Sequence, residues 1–190
     1  MSLSGVEFGT GATGVVLAPP VGEILCDWVV YATQLARLGY RVLAFDFAGT
    51  GASATPHSGG VSADADVTAA VQFLRDSGVQ AVALLGAADG ASAAVVVAAR
   101  LTPPAAAVVG LSTASMLATV DLRSVVPTLQ VPVMYVTGEQ YRIAQVLYDA
   151  TRSTTTRQIV VSRGDVAGFG ILYGPSSVAI PQLTSITATA

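Results

Sequence analysis

The chain has 190 residues, of which 52% are hydrophobic and 11% charged, and its formal net charge is −3. This length predicts one domain over residues 1–190 that buries a sizeable core without a disulfide or metal staple. The nine cationic residues are scattered along the chain, which argues against a nucleic-acid-binding face. One histidine and one cysteine give no metal-ligand spacing and no internal disulfide.

The apolar stretches predict neither a membrane span nor a secretion signal. No basic start precedes a long apolar segment at the amino terminus, and Asp46, Asp89 and Arg100 interrupt apolar runs before they reach spanning length. The lone Cys26 fits a reducing compartment. These features predict a cytoplasmic protein with no membrane partner.

Strand-like and helix-like segments alternate along the chain. Short apolar runs predict strands at 14–18, 81–85, 107–111, 132–137 and 158–161, with another beginning at residue 40. An apolar stripe at helical spacing predicts a helix at 64–76, and the length and small residues of 90–100 predict a closely packed helix there. Residues 28–38 and 143–152 are further helix candidates. This alternation predicts an α/β fold with a minimal, mostly parallel sheet of about six strands and helices on both faces. The interval between residues 111 and 131 is too short for a lid domain.

The segment Gly86–Gly90 has the spacing of a nucleophile elbow, the sharp turn between a strand and a helix that presents an attacking side chain. A predicted strand precedes it and a predicted helix follows it. Small residues at Gly86, Gly90 and Ala91 allow the close backbone approach that such a turn requires. The central position is Ala88, which has no hydroxyl. The alternative interpretation is a tight turn without function.

A second signature lies upstream, where residues 46–53 have the pattern Asp-x-x-Gly-x-Gly-x-Ser. Together with the elbow, the strand at 14–18 and the helix at 28–38, this pattern resembles the α/β-hydrolase superfamily, most closely its small bacterial esterase-like members. The resemblance spans nearly the whole chain and implies the α/β-hydrolase fold. It also implies that Asp46 is a structural residue that binds turn amides.

The resemblance places alanine at two of the three catalytic triad positions. The nucleophile position falls at Ala88, and the base position, counted back from Gly174, falls at Ala167. The acid position falls at Gln140 or Tyr141, and only the neighbouring Glu139 keeps a carboxylate.

The oxyanion loop is altered as well. Pro19 and Pro20 replace the His-Gly pair that opens this loop in the family, and proline has no N–H to donate. General acid–base help is worth roughly 10²–10⁴-fold and one oxyanion donor about 10²–10³-fold. Ordinary ester hydrolysis is therefore not expected.

The candidate site lies beyond the carboxyl ends of the strands, where open α/β sheets bind ligands. The candidate catalytic residues are Asp89, Glu139 and Tyr141. The candidate substrate-binding residues are Pro20, Cys26, Asp27, Trp28, Ala88, Gln140, Ala167 and Phe169.

Asp89 has three alternative roles. It either caps the following helix, acts as a general acid or base opposite Glu139 or Tyr141, or serves as a nucleophile as in dehalogenase-type relatives. The third role lacks a histidine to activate water. The single histidine, His57, is expected to face solvent, and Trp28 and Asp27 have packing and capping as their alternatives.

Three functions remain open. The first is a non-hydrolytic biosynthetic enzyme that cyclises, isomerises or eliminates a small apolar metabolite by shape and acid–base catalysis. The second is a pseudoenzyme that binds a small ligand or a partner protein. The third is a hydrolase with relocated catalytic groups. We expect no cofactor and no metal, and the hydrophobic composition makes a homodimer a reasonable expectation.

Overall fold

A computed structural model describes residues 2–56, 62–152, 157–162, 167–168 and 170–173. The strands are β1 (Gly5–Phe8), β2 (Thr13–Ala18), β3 (Arg41–Phe45), β4 (Ala81–Ala87), β5 (Val108–Leu111), β6 (Met116–Leu117), β7 (Val120–Asp121), β8 (Val133–Gly138) and β9 (Arg157–Ser162). The helices are α1 (Val29–Arg37), α2 (Ala63–Asp76), α3 (Asp89–Ala98), α4 (Leu122–Val125), α5 (Ile143–Ala150) and α6 (Gly170–Tyr173). Within this part of the chain, no helix has the length and apolar character needed to cross a membrane.

Seven strands form one sheet in the order β1-β3-β2-β4-β5-β8-β9. The edge strand β1 runs antiparallel to β3, and every other pair in this sheet is parallel. The carboxyl ends of β2, β4, β5 and β8 therefore meet at one edge of the sheet, which we call the elbow edge because β4 leads there into α3. The strand that follows β2 in the chain, β3, lies on one side of it, and β4 lies on the other side. Open α/β sheets bind ligands at the carboxyl ends of the strands beside such a switch in strand order.

Each face of the sheet carries its own apolar core. On one face, α2, α3 and α5 pack Val67, Val97 and Leu147 into a common cluster. On the other face, α1 and α6 contribute Tyr31 and Ile171 to a second cluster. The central strands β2, β4, β5 and β8 are buried on both faces, which explains why they appear in the sequence as nearly continuous apolar runs. The mostly parallel sheet with helices on both faces is thereby confirmed.

The sheet differs from the expectation in its strand count. The strand β1 was not predicted because its four residues are mostly exposed and lack a continuous apolar run. Only its antiparallel pairing with β3 defines it. The segment between β5 and β8 contains the β6–β7 hairpin and the short α4, which is consistent with the absence of a lid domain.

A buried carboxylate fixes the loops that follow β2 and β3. Asp46 is only 3% exposed, and its carboxylate accepts hydrogen bonds from the backbone N–H groups of Leu25 at 2.7 Å and Ala52 at 2.9 Å. The predicted structural role of Asp46 is confirmed by these two bonds. They tie the loop before α1 to the turn after β3, and both loops lie at the elbow edge.

We expect Asp46→Ala to lower the free energy of unfolding by about 3 kcal/mol, because the buried Leu25 N–H and the partly buried Ala52 N–H lose a charged acceptor. Urea denaturation measures this change. The control is Asp76→Ala, since the exposed Asp76 accepts a bond only from the Gln72 side chain and its loss should cost less than about 0.5 kcal/mol. Equal losses in the two variants would contradict the structural role.

Candidate active site

The turn between β4 and α3 has the geometry of the predicted elbow. Ala88 has φ +49° and ψ −117°, a conformation that residues other than glycine rarely adopt. A Cβ on Gly86 would overlap the Gly90 carbonyl, and a Cβ on Gly90 would overlap the carbonyls of Ala18 and Pro19. The turn thus requires glycine on both sides, and Ala88 takes up the resulting strain.

The central position of the elbow projects only a methyl group. The Ala88 N–H donates to the Leu111 carbonyl at 2.9 Å, and its carbonyl accepts from Ser92 N–H at 3.1 Å, so the backbone here is fixed on both sides. A strained non-glycine residue of this kind costs on the order of 1–3 kcal/mol. The backbone of this turn thus has the elbow geometry, with alanine at its centre.

Two hydroxyl residues share the elbow edge with Ala88. The strand register pairs Ala87 with Leu111 and Leu111 with Val136, so Ala88, Ser112 and Thr137 follow next on three neighbouring strands. Ser112 is partly exposed and has φ +50°. Sequence reasoning missed Ser112, although its place directly after an apolar strand was a usable signal.

Asp89 is the first residue of α3 and is partly exposed. Ala88 occupies the N-cap position, and no side-chain hydrogen bond caps the helix. Within the described residues, no hydrogen bond or ion pair engages the Asp89 carboxylate. Its charge is favoured by the helix dipole of the ten-residue α3, and the carboxylate is free to contact a ligand.

The predicted acid position lies in the turn after β8. Glu139, Gln140 and Tyr141 are all exposed there. The Tyr141 N–H donates to the Gly138 carbonyl at 3.1 Å, and the Thr137 hydroxyl donates to the Tyr141 carbonyl at 3.1 Å. The structure therefore brings this turn to the same edge as Asp89, with its three side chains facing solvent.

The loop between β2 and α1 holds the next group of predicted residues. Pro20 is partly exposed, and Cys26 and Asp27 are exposed. Asp27 accepts a long hydrogen bond of 3.4 Å from Ile24 N–H at the start of a 3₁₀ turn, which favours its capping alternative. Trp28 is fully buried, with its ring 6.1 Å from that of Tyr31. This burial favours packing for Trp28, which lies beneath the elbow edge.

Three titratable groups near this loop have pKa values raised above their ordinary values. Burial raises the pKa of Tyr31 well above its usual range, and burial also raises the pKa of Tyr173. Both phenols therefore stay neutral near pH 7 and cannot accept a proton as phenolates. The pKa of Glu23 is raised by partial burial and by the nearby Asp27 carboxylate. These groups contribute packing, hydrogen bonds and negative charge.

A hydrogen bond from Gly168, the residue after the predicted base position, connects this segment to Ser112 at the elbow edge. Ala167 is exposed, and the N–H of the following Gly168 donates to the Ser112 hydroxyl oxygen at 3.0 Å. Phe169 and His57 lie outside the described residues. Within the described ranges, no group of three or more His, Cys, Asp and Glu residues could hold a metal ion.

An apolar cavity of about 320 Å³ lies elsewhere, between β1, β3 and α2. Its lining includes Leu3, Leu43, Phe45 and Phe73, and none of the lining residues belongs to the elbow edge. The cavity therefore has no part in the candidate site.

The fold is that of the α/β-hydrolases. The chain superposes on an enol-lactonase from Burkholderia xenovorans with a TM-score of 0.76 and 16% identity, covering 98% of this chain and 94% of that one. It superposes on a monoacylglycerol lipase from Paleococcus ferrophilus with a TM-score of 0.74 and 16% identity, covering 86% and 90%. For a lipase-esterase related protein from Clostridium acetobutylicum the TM-score is 0.77 at 12% identity, covering 97% and 99%. No family model and no curated protein matches the sequence.

We expect Ala88→Gly to raise the free energy of unfolding by about 1 kcal/mol, because glycine adopts positive φ without the strain that alanine carries. Urea denaturation measures the change. The matched control is Ala87→Gly, which makes the same chemical change one residue earlier in β4, where the side chain is fully buried. That control should lose about 1 kcal/mol. A loss of similar size in both variants would show that Ala88 is not strained.

Proposed function

We propose that this protein binds a small, largely apolar molecule at the elbow edge and transforms it without hydrolysis. The observation that supports this most directly is Ala88 at the central position of a fully formed elbow. Covalent catalysis needs a nucleophile and a base that activates it. The alanines at positions 88 and 167 offer neither group.

The proposed chemistry is proton transfer on a bound substrate. Asp89 supplies a carboxylate at the start of α3, partly exposed and without a protein partner within the described residues. Glu139 and Tyr141 are the candidate partners from the turn after β8. Cyclisation, isomerisation and elimination need substrate positioning and one placed proton more than they need a nucleophile. These reaction classes suit the groups at this edge.

Hydrolysis with relocated groups is the second candidate. The solved structures of similar fold include a lactonase and a lipase, and this likeness favours a hydrolytic reaction. In such a reaction, Asp89 would activate a water molecule directly. A third alternative is a pseudoenzyme that releases its ligand or partner protein unchanged.

We expect the purified protein to turn over p-nitrophenyl esters no faster than a boiled control. Ala88→Ser should not restore turnover, because Ala167 cannot accept the serine proton. Release of p-nitrophenol measures both rates. A wild-type rate well above the control that disappears in Asp89→Asn would support relocated hydrolysis, and robust activity of Ala88→Ser would identify a base not recognised at this edge.

Native mass spectrometry after exposure to a small-molecule extract of the source organism tests the ligand directly. We expect a specific bound mass in the wild-type protein. An elimination gives a product of changed mass, whereas a cyclisation or isomerisation gives a product of equal mass with a different chromatographic retention time. Either product should be absent with Asp89→Asn or Tyr141→Phe. Gln72→Ala, an exposed change on α2, is the control and should behave as wild type. A bound ligand that is released with both its mass and its retention time unchanged would favour the pseudoenzyme. The same spectra test the predicted homodimer.

A further inference from the structure

Ser112 lies between the elbow and the predicted base position. It follows β5 directly, and the carbonyl of its neighbour Leu111 accepts the Ala88 N–H. Its own N–H donates to the Val136 carbonyl at 2.7 Å. Ser112 is thus fixed by its backbone between the end of β4 and the end of β8, with its side chain partly exposed at the elbow edge.

The hydroxyl of Ser112 keeps its one donor hydrogen. Its oxygen accepts the Gly168 N–H at 3.0 Å, which fixes the position of the oxygen. A serine hydroxyl can accept and donate at the same time. Within the described part of the chain, no acceptor takes the Ser112 hydroxyl hydrogen. An oriented donor is therefore left at the place where a ligand would bind.

The backbone of Ser112 carries a cost that glycine would avoid. Its φ of +50° makes it one of three non-glycine residues with positive φ among the described residues, together with Ala88 and Ala118. Residues other than glycine, asparagine and aspartate rarely adopt this conformation. Strained residues of this kind cluster at ligand-binding and catalytic positions. A serine here is best explained by the use of its hydroxyl.

We propose that Ser112 determines specificity by donating a hydrogen bond from its hydroxyl to a carbonyl or carboxylate oxygen of the ligand. This inference rests on the proposed binding of a small molecule at the elbow edge, and it names the polar group that an otherwise apolar ligand must carry. Gly168 N–H acts as a positioning group, since it holds the oxygen and leaves the hydrogen to the ligand.

The test compares three probes of equal chain length with the full-length, ¹⁵N-labelled protein. Hexanamide and hexanoate carry a carbonyl or carboxylate acceptor, and hexylammonium carries none. Amide chemical shifts give the dissociation constants. Ser112→Ala removes the hydroxyl and keeps the strained backbone, whereas Ser112→Gly removes both the hydroxyl and the strain. An effect common to both variants therefore reports the hydroxyl. The control is Ser124→Ala, which removes an exposed hydroxyl bonded to the Asp121 carbonyl.

We expect hexanamide and hexanoate to shift the Ser112 and Gly168 resonances in the wild-type protein. Both Ser112 variants should bind hexanamide about three- to tenfold more weakly, the loss expected for one neutral hydrogen bond. They should bind hexanoate more than about tenfold more weakly, because its acceptor is charged. Binding of hexylammonium should not change. Wild-type affinity in either variant, or no preference of the wild-type protein for the two acceptor probes, would overturn the proposal. Ester hydrolysis by the wild-type protein together with this Ser112 dependence would overturn the proposed function and leave the assignment of Ser112 intact.

Discussion

The close approach of three backbone segments at the β4–α3 turn is the constraint on which the rest of the structure depends. Gly86 lies against the Gly90 carbonyl, and Gly90 lies against the carbonyls of Ala18 and Pro19 at the end of β2. No side chain fits between these segments. The turn therefore fixes the start of α3 over the end of the neighbouring strand, and Ala88 and Asp89 take their positions from this contact.

The sequence of α3 follows from the same constraint. Every residue from Gly90 to Ala98 is buried, and these residues are glycine, alanine, serine and valine. A helix enclosed between the sheet and α2 needs small side chains on all sides, because close packing tolerates little added volume. For this reason α3 has no amphipathic pattern, and the sequence identifies it by length and flanking turn instead of by periodicity.

The parts of the molecule that could be predicted are those with a strong local signal. Long apolar runs indicated the parallel strands, and the spacing of glycines indicated the elbow. The strand β1 was missed because an exposed edge strand of four residues has neither alternation nor a continuous apolar run. Ser112 was missed because its positive φ and its bond to Gly168 depend on three distant segments. The one local signal for Ser112 was its place directly after an apolar strand, and that place reports neither the φ nor the hydrogen bond.

The two polar candidates at the elbow edge differ in what their presence implies. A carboxylate at the start of a helix is stabilised there by roughly 0.3–1 kcal/mol, so Asp89 is favourable at its position whether or not it has a chemical role. The conformation of Ala88 is imposed by the glycine contacts around it and likewise does not report chemistry. Ser112 shares the positive φ of Ala88, but it also carries a hydroxyl whose hydrogen has no acceptor among the described residues. A residue that costs stability and keeps an oriented donor at a ligand-binding edge is the stronger indicator of function.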